Sequence, residues 1–428
     1  MGLFRSAFGI SLVALAAILA PVGIHFVKPL GIFYTPKPTV LGDGEGPIRI
    51  EDTLYCEDVH HYRPANLLFT ACEDSKVTRF EWFPGLGHLN PQSSRGSIHV
   101  VDPKKLTKGV LCLQTMKSTR LNFQNFEGSF VTHGIDVIGD PAQGDAVYIF
   151  AVNHLPNPEY FEASGAAENI PKARSQIELF RHVLQSDSVQ HVRSIRHPLV
   201  YTPNDIYAVS PHSFYVTNDH FYRDGTRRLI EDAWPSAKWS NVIHVQLTDL
   251  NSVDATAGLD ASIALTGLWN NNGLGHGRTD QELVISSAMG GELYVSDWHA
   301  ANNTISVKTS IPFDCITDNP SYYADPYRTH SDDASGIVIA GVTRGFYLAQ
   351  TGKDPNALDP MQVWIAQPKV GTDKWEKKLL FEDDGSRIRT ASAAVLVPIE
   401  PKADGTKRAW LFVTGFLSES MVAVQVEL

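Results

Sequence analysis

The chain has 428 residues, 43% of them hydrophobic and 19% charged, which is enough apolar material for a large buried core. Its formal net charge is −11, and no run of Lys or Arg stands out. That argues against a nucleic-acid partner, which needs a positive patch, and leaves an acidic surface compatible with divalent cations.

In chain order, the first element is residues 7–27, a stretch without Lys, Arg, Asp or Glu that Arg5 precedes and Lys28 follows. It is long enough to span a bilayer as a helix. A secretory signal peptide cut after Ala20 is the other reading, but Pro21 is unfavourable at that position. An uncleaved N-terminal hydrophobic helix, a signal anchor over residues 1–30, is therefore preferred. A linker over 31–50 and one domain over 51–428 follow, in the secretory pathway, either membrane-anchored at the ER lumen or cell surface or secreted. Cys56 and Cys72 flank CEDVHHYRPANLLFTAC, which reads as two neighbouring strands. They either form a cross-strand disulfide in an oxidising lumen or remain buried thiols. Together with Cys112 and Cys315 they make no CxxC and no Cys/His zinc spacing.

Beyond residue 30 no long stretch keeps a helical period, and a short strand text recurs instead: NLLFTACED from Asn66, DAVYIFAVNH from Asp145, HSFYVTNDH from His212, GELYVSDWH from Gly291, GIVIAGVTR from Gly336 and AWLFVTGF from Ala409. Six such units across about 380 residues average roughly 64 apiece, a fit to four-stranded blades with generous loops. The expected fold is all-β, a six-bladed β-propeller, with a two-sheet β architecture as the alternative. Closing such an array removes exposed strand edges and makes inner strands converge on a channel, where polar side chains distant in sequence meet.

The candidates for that meeting are Glu57-Asp58, Asn204-Asp205, Asn218-Asp219, Asn270 to Asn272 and Asp318-Asn319. All are oxygen donors without Cys, which suits calcium with its six to eight hard ligands; zinc or copper favours His or Cys. No EF-hand loop is present, so a calcium site has to be assembled across the fold. Each pair alone reads more readily as turn chemistry than as a ligand. His133 in FVTHGIDVI and His154 in FAVNHLPN follow strand-like text, where a His beside a polarised carbonyl activates water. Asn302-Asn303-Thr304 is a glycosylation sequon if the chain is exported. No GxSxG elbow, P-loop or dinucleotide fingerprint occurs.

With these motifs in view, the chain from about residue 55 onward resembles the paraoxonase/arylesterase family of calcium-dependent six-bladed propeller hydrolases. The likeness is densest in SIRHPLVYTPNDIYAVSPHSFYVTNDHFY, residues 194–222, and extends to THGID, VNH, NNGL and DNPS in the same order. The resemblance implies two Ca2+. A catalytic one would be held by Glu57, Asn204, Asn272, Asp318 and Asn319. A structural one would be held by Asp58, Asp205 and the backbone carbonyl of Ile135. It further implies His133 as general base with His154 behind it, and Asp219 as a supporting carboxylate. The implied substrate is a small-molecule aryl ester or lactone. Animal members close their ring with a disulfide, whereas here Val426 stands where the second Cys would be. The segment RLIEDAWPSAKW, residues 228–239, reads either as a lid or membrane-facing helix or as a plain amphipathic surface segment. A non-catalytic calcium-stabilised scaffold and a strictosidine-synthase-like propeller are the competing functional readings. Neither an oligomeric state nor a physiological substrate follows from these residues.

Overall fold

The computed structural model describes residues 16, 20, 22–41, 46–92, 94–107, 115–162, 170–369, 371–372 and 374–428. Most of the apolar stretch over 7–27 and Cys112 lie outside these residues. Among the described residues, no helix is long and apolar enough to cross a membrane.

Short strands joined by tight turns dominate the rest. Six of them line a channel: β1 (Cys56–Tyr62), β2 (Thr132–Asp140), β3 (Pro203–Ser210), β4 (Asn271–His276), β5 (Ile316–Tyr323) and β6 (Ala391–Ile399). Each is followed by antiparallel partners running outward. Thus β3 pairs with Ser213–Asn218, which pairs with Ser240–Leu247, which pairs with Leu259–Leu268. Around the channel the inner strands neighbour one another in the order β1 to β6 and back to β1. The sheets that start at β5 and β6 touch through one parallel bridge, Asn319 with Ala393. The architecture is an all-β propeller. In its last sheet the fourth strand is N-terminal: Ile48–Glu51 pairs antiparallel with Met421–Glu427, so strand pairing between the two ends of the chain closes the ring. Cys56 and Cys72, paired across β1 and Leu67–Cys72, are joined by a disulfide. Asn302 lies in an exposed turn, accepting from the Thr304 backbone N–H at 3.2 Å.

The recurring apolar texts are not the inner strands. Five of the six fall on the second strand from the channel, including Leu67–Cys72, Ser213–Asn218 and Gly336–Val342. The fourth, GELYVSDWH, is a third strand, Glu292–His299, and its sheet's second strand is Glu282–Ser287. A second strand is sandwiched by adjoining sheets on both faces, so it reads as an unbroken apolar run. Phe150, Phe214, Val216 and Ile243 show that packing, forming one buried cluster between successive sheets.

The inner strands have a different regularity. Every one carries a register shift near its start: between Cys56 and Asp58, Thr132 and Ile135, Pro203 and Ile206, Asn271 and Leu274, Thr317 and Pro320, and Ala391 and Ala394. A β-bulge re-aims side chains and ends regular pairing. The residues inside these bulges are Glu57, His133-Gly134, Asn204-Asp205, Asn272-Gly273, Asp318-Asn319 and Ser392-Ala393.

Candidate active site

The bulges gather the expected oxygen donors at one end of the channel. Among the described residues, Glu57 Oε2, Asn204 Oδ1, Asn272 Oδ1, Asp318 Oδ1 and Asn319 Oδ1 are buried without a hydrogen-bond partner. Five orphaned oxygens on four inner strands are costly unless a cation satisfies them. The charges agree. Burial, then Asp318 and Asp58, push the Glu57 carboxyl well above the usual carboxylate range. Burial, then Asp58 and Asp219, do the same to Asp318. Close approach is built in: a Cβ on Gly273 would meet Asn319 Cα at 2.5 Å and Asn319 Oδ1 at 2.6 Å. These oxygens fit a hard divalent cation. Asn319 Nδ2 meanwhile donates to Glu57 Oε1 at 2.9 Å, and the Ser392 hydroxyl donates to the Glu57 carbonyl.

Just deeper, Asp58 and Asp205 adjoin. Asp58 accepts from the Val59 and Ile135 N–H groups at 2.7 and 3.0 Å. Asp205 accepts from Ile206 and Leu274 at 2.8 and 2.7 Å. Gly134 permits this contact, since its Cβ would lie 2.3 Å from Asp205 Oδ1. Burial above all raises both carboxyls, Asp58 to about 6, and the two anions oppose each other. Each carboxylate keeps lone pairs beyond these backbone contacts.

His133 and His154 form a dyad beside the first group. His133 Nδ1 lies 2.9 Å from His154 Nε2, and His154 Nδ1 lies 2.8 Å from Ser175 Oγ. Asn204 Nδ2 sits 3.3 Å from His133 Nε2. An amide nitrogen only donates, so His133 Nε2 accepts and its Nδ1–H donates to His154 Nε2. His154 Nδ1–H then donates to the Ser175 hydroxyl. One side chain, Asn204, thus turns its oxygen to the cation group and orients the basic nitrogen of His133. Burial, then the neighbouring His154, keep His133 well below the usual imidazole range, and burial lowers His154 to about 4. Both are neutral at pH 7. Phe83 packs edge-on against His133 at 5.0 Å, and Trp82 Nε1 donates to the His154 carbonyl at 2.8 Å.

Asp219 does not point at the cation group. It lies at the rim, 3.0 Å from His220 Nδ1 and 3.8 Å from Arg228 NH2. Asn218 ties the same strand end, accepting from Tyr201 and Thr202 N–H at 2.9 and 3.0 Å. The helix α1 (Thr226–Ala233) covers this rim. Arg228 donates to the Gly85 carbonyl at 3.0 Å, and Glu231 accepts from Phe221 N–H at 2.8 Å. Leu229, Ile230 and Trp234 face solvent. Beyond His154 the strand stays paired through Pro156, opposite Ala173. A cavity of about 20 Å³, lined among others by His133, His154, Ser175 and Asp219, reaches the dyad.

His220 lies between Asp219 and Asp232, the latter at 2.5 Å. Burial works against its charge, yet the two carboxylates raise it to about 9. A histidine raised from 6.5 contributes fully below that pH, and the contribution disappears as pH rises through 9. Wild type should therefore lose up to about 3 kcal/mol more stability than His220→Gln between pH 6 and 9.5. Melting curves in calcium check this; parallel losses would reject it.

Sequence reasoning missed three contributors. Arg79 is fully buried, donates to the Tyr55 carbonyl at 2.7 Å and stacks over Phe83 at 4.0 Å. Ser175 and Ser392 complete the dyad and the Glu57 contacts. Only the bulge register could have singled out Ser392, and nothing local marks the other two.

A family model described as Arylesterase matches residues 78–397. Serum paraoxonase/arylesterase 2 of Gallus gallus is 31% identical over 198 residues, 46% of this chain and 47% of the chicken protein. The chain thus spans about half the length of that relative. Serum paraoxonase/arylesterase 2 of Canis lupus familiaris is 27% identical over 316 residues, covering 73% and 74% of the two chains. Serum paraoxonase/arylesterase 1 of Homo sapiens is 29% identical over 289 residues, covering 67% and 70%. Among solved structures, a luciferin-regenerating enzyme aligns with a TM-score of 0.44 and 10% identity, covering 91% of this chain and 95% of that one. A Pseudomonas aeruginosa periplasmic gluconolactonase aligns at 0.38 and 10% identity, covering 87% and 85%.

Proposed function

The chain belongs to the arylesterase (paraoxonase) family, and on that premise we propose that it is a six-bladed propeller that hydrolyses aryl esters or lactones with two bound Ca2+. The observation that carries the reading is the pairing of five orphaned buried oxygens with a tautomer-fixed histidine dyad through Asn204. Glu57, Asn204, Asn272, Asp318 and Asn319 would hold the catalytic ion, with Asp58, Asp205 and the Ile135 carbonyl at the structural one. When bound, the catalytic ion supplies a Lewis acid for the substrate carbonyl oxygen.

The chain's own groups account for the proton. His133 Nε2, unprotonated at neutral pH, takes a proton from water as the water oxygen attacks the carbonyl carbon. His154 accepts the His133 Nδ1–H and holds the ring in that tautomer, and Ser175 fixes His154 in turn. The proton then passes to the departing alkoxide or phenoxide as its C–O bond breaks, leaving acid and alcohol. The cavity at the dyad has room for about one water. Ring closure of inner strands β1 to β6 supports the count of six blades.

The narrowness of that cavity is also what favours the second reading, a calcium-stabilised propeller without catalysis. Purified protein with calcium, offered phenyl acetate and a panel of aliphatic lactones, separates them. Hydrolysis that EDTA abolishes is expected; no hydrolysis of any ester or lactone would leave the scaffold. Protein that binds no calcium would revive the strictosidine-synthase-like reading.

A further inference from the structure

The other end of the channel carries a second cluster of different chemistry. Counting along each inner strand, His60 follows Glu57 by three residues, Asp136 follows His133 by three, and His276 follows Asn272 by four. At about 3.3 Å per residue this puts them roughly 10 Å from the first group of oxygen donors, but only one or two residues beyond Asp58 and Ile135, which border the same cavity as they do. His60 Nδ1 lies 2.9 Å from Asp136 Oδ1, and His276 Nε2 lies 2.8 Å from Asp136 Oδ2. The three donor atoms are within 4.8 Å of one another. They line a cavity of about 460 Å³ that Tyr62, Arg63 and Tyr322 also border.

We propose that His60, Asp136 and His276 form a binding site for a zinc-class divalent transition metal, separate from the oxygen sites and open to this cavity. Two imidazoles and a carboxylate are a nitrogen-rich set that favours zinc over calcium, and three protein ligands leave a fourth position for water or a ligand. The carboxylate is held in place: Asp136 accepts from the Val137 N–H at 2.8 Å and the Ala208 N–H at 2.7 Å. Such backbone contacts fix the orientation of a metal-binding carboxylate. The imidazoles can adjust, because the side chains of His60 and His276 are 23% and 39% exposed while Asp136 is 2%. Ligand atoms about 2.0–2.1 Å from zinc stand about 3.3 Å apart, so each contact opens by about 0.5 Å to admit the ion. His276 also rests against Tyr207 with ring centres 4.3 Å apart, which limits how far it swings.

The test uses the full chain stripped of transition metals and saturated with Ca2+, titrated with Zn2+ and separately with Co2+. One equivalent of Zn2+ should bind calorimetrically without displacement by excess Ca2+. The Co2+ form should show visible bands of nitrogen ligation. His276→Ala and His60→Ala should each weaken Zn2+ binding at least tenfold. A wild-type chain that takes up no Zn2+, a Co2+ spectrum of oxygen ligands only, or folded variants that bind as tightly as wild type would overturn the proposal. If a variant does not fold, the wild-type stoichiometry and Co2+ spectrum decide alone.

Discussion

His133→Gln should lower turnover of an aryl ester by about 10²- to 10⁴-fold, the range removed with a positioned general base, while bound calcium stays unchanged. The two halves follow from one geometry. His133 contributes no oxygen to the cation group; its Nε2 only meets Asn204 Nδ2, 3.3 Å away, and a Gln carbonyl can accept the same donor. The loss should therefore appear in kcat rather than in the calcium titration. His154→Gln should cost less, because it removes the group that holds the tautomer and not the one that takes the proton. The competing route is direct assistance by a carboxylate. Glu57 Oε1 lies only 4.0 Å from His133 Nε2, close enough for either group to face the same water. If His133→Gln keeps activity within about threefold of wild type, the dyad mechanism fails and the carboxylate route takes its place.

What could be read from the residues divides along burial. Second strands such as Ser213–Asn218 and Gly336–Val342 are buried on both faces, so their apolar text announced a repeated β-architecture. The inner strands were hidden. They interrupt themselves with a bulge and a polar pair, and a pair such as Asn204-Asp205 looks the same whether it caps a turn or faces a channel. The fourth repeat misled because Glu282–Ser287 ends in serines and lacks aromatics, whereas the third strand Glu292–His299 carries Tyr and Trp. Asn204-Asp205 and Asn218-Asp219, fourteen positions apart, prove to be one hairpin, Pro203 opposite Asn218. Its first pair faces the channel and its second fastens the rim. The family likeness supplied the choice of Asn272 within the Asn270 to Asn272 run. In the structure the bulge sets Asn272 and Gly273 between the paired residues Asn271 and Leu274, while Asn270 takes a left-handed φ of 50°. Arg79 and the His60–Asp136–His276 cluster had no such text. Their partners lie on other strands, and only closure of the ring brings them together.

Glu57→Gln is expected to have opposite effects on stability with and without calcium, and the sign change is what identifies the site. In calcium it should lose activity by more than about 10³-fold, since both the carboxylate ligand and the polarising ion at the carbonyl are affected. It should also melt lower than wild type. Stabilisation by a bound ion shrinks by about 1.4 kcal/mol for each tenfold loss of affinity. In EDTA the argument reverses. Glu57, Asp58, Asp205 and Asp318 then share one buried channel with no cation, and burial, with neighbouring carboxylates adding to it, raises each carboxyl. Replacing Glu57 by a neutral side chain of nearly the same shape removes one of those charges and keeps an oxygen for Asn319 Nδ2. The metal-free variant should therefore melt higher than metal-free wild type. A merely structural Glu57, held by Asn319 alone, would lower the melting temperature in both conditions by similar amounts. Matched melts in calcium and in EDTA distinguish the cases, and a wild-type melt that EDTA leaves unmoved would remove the cation from this channel altogether.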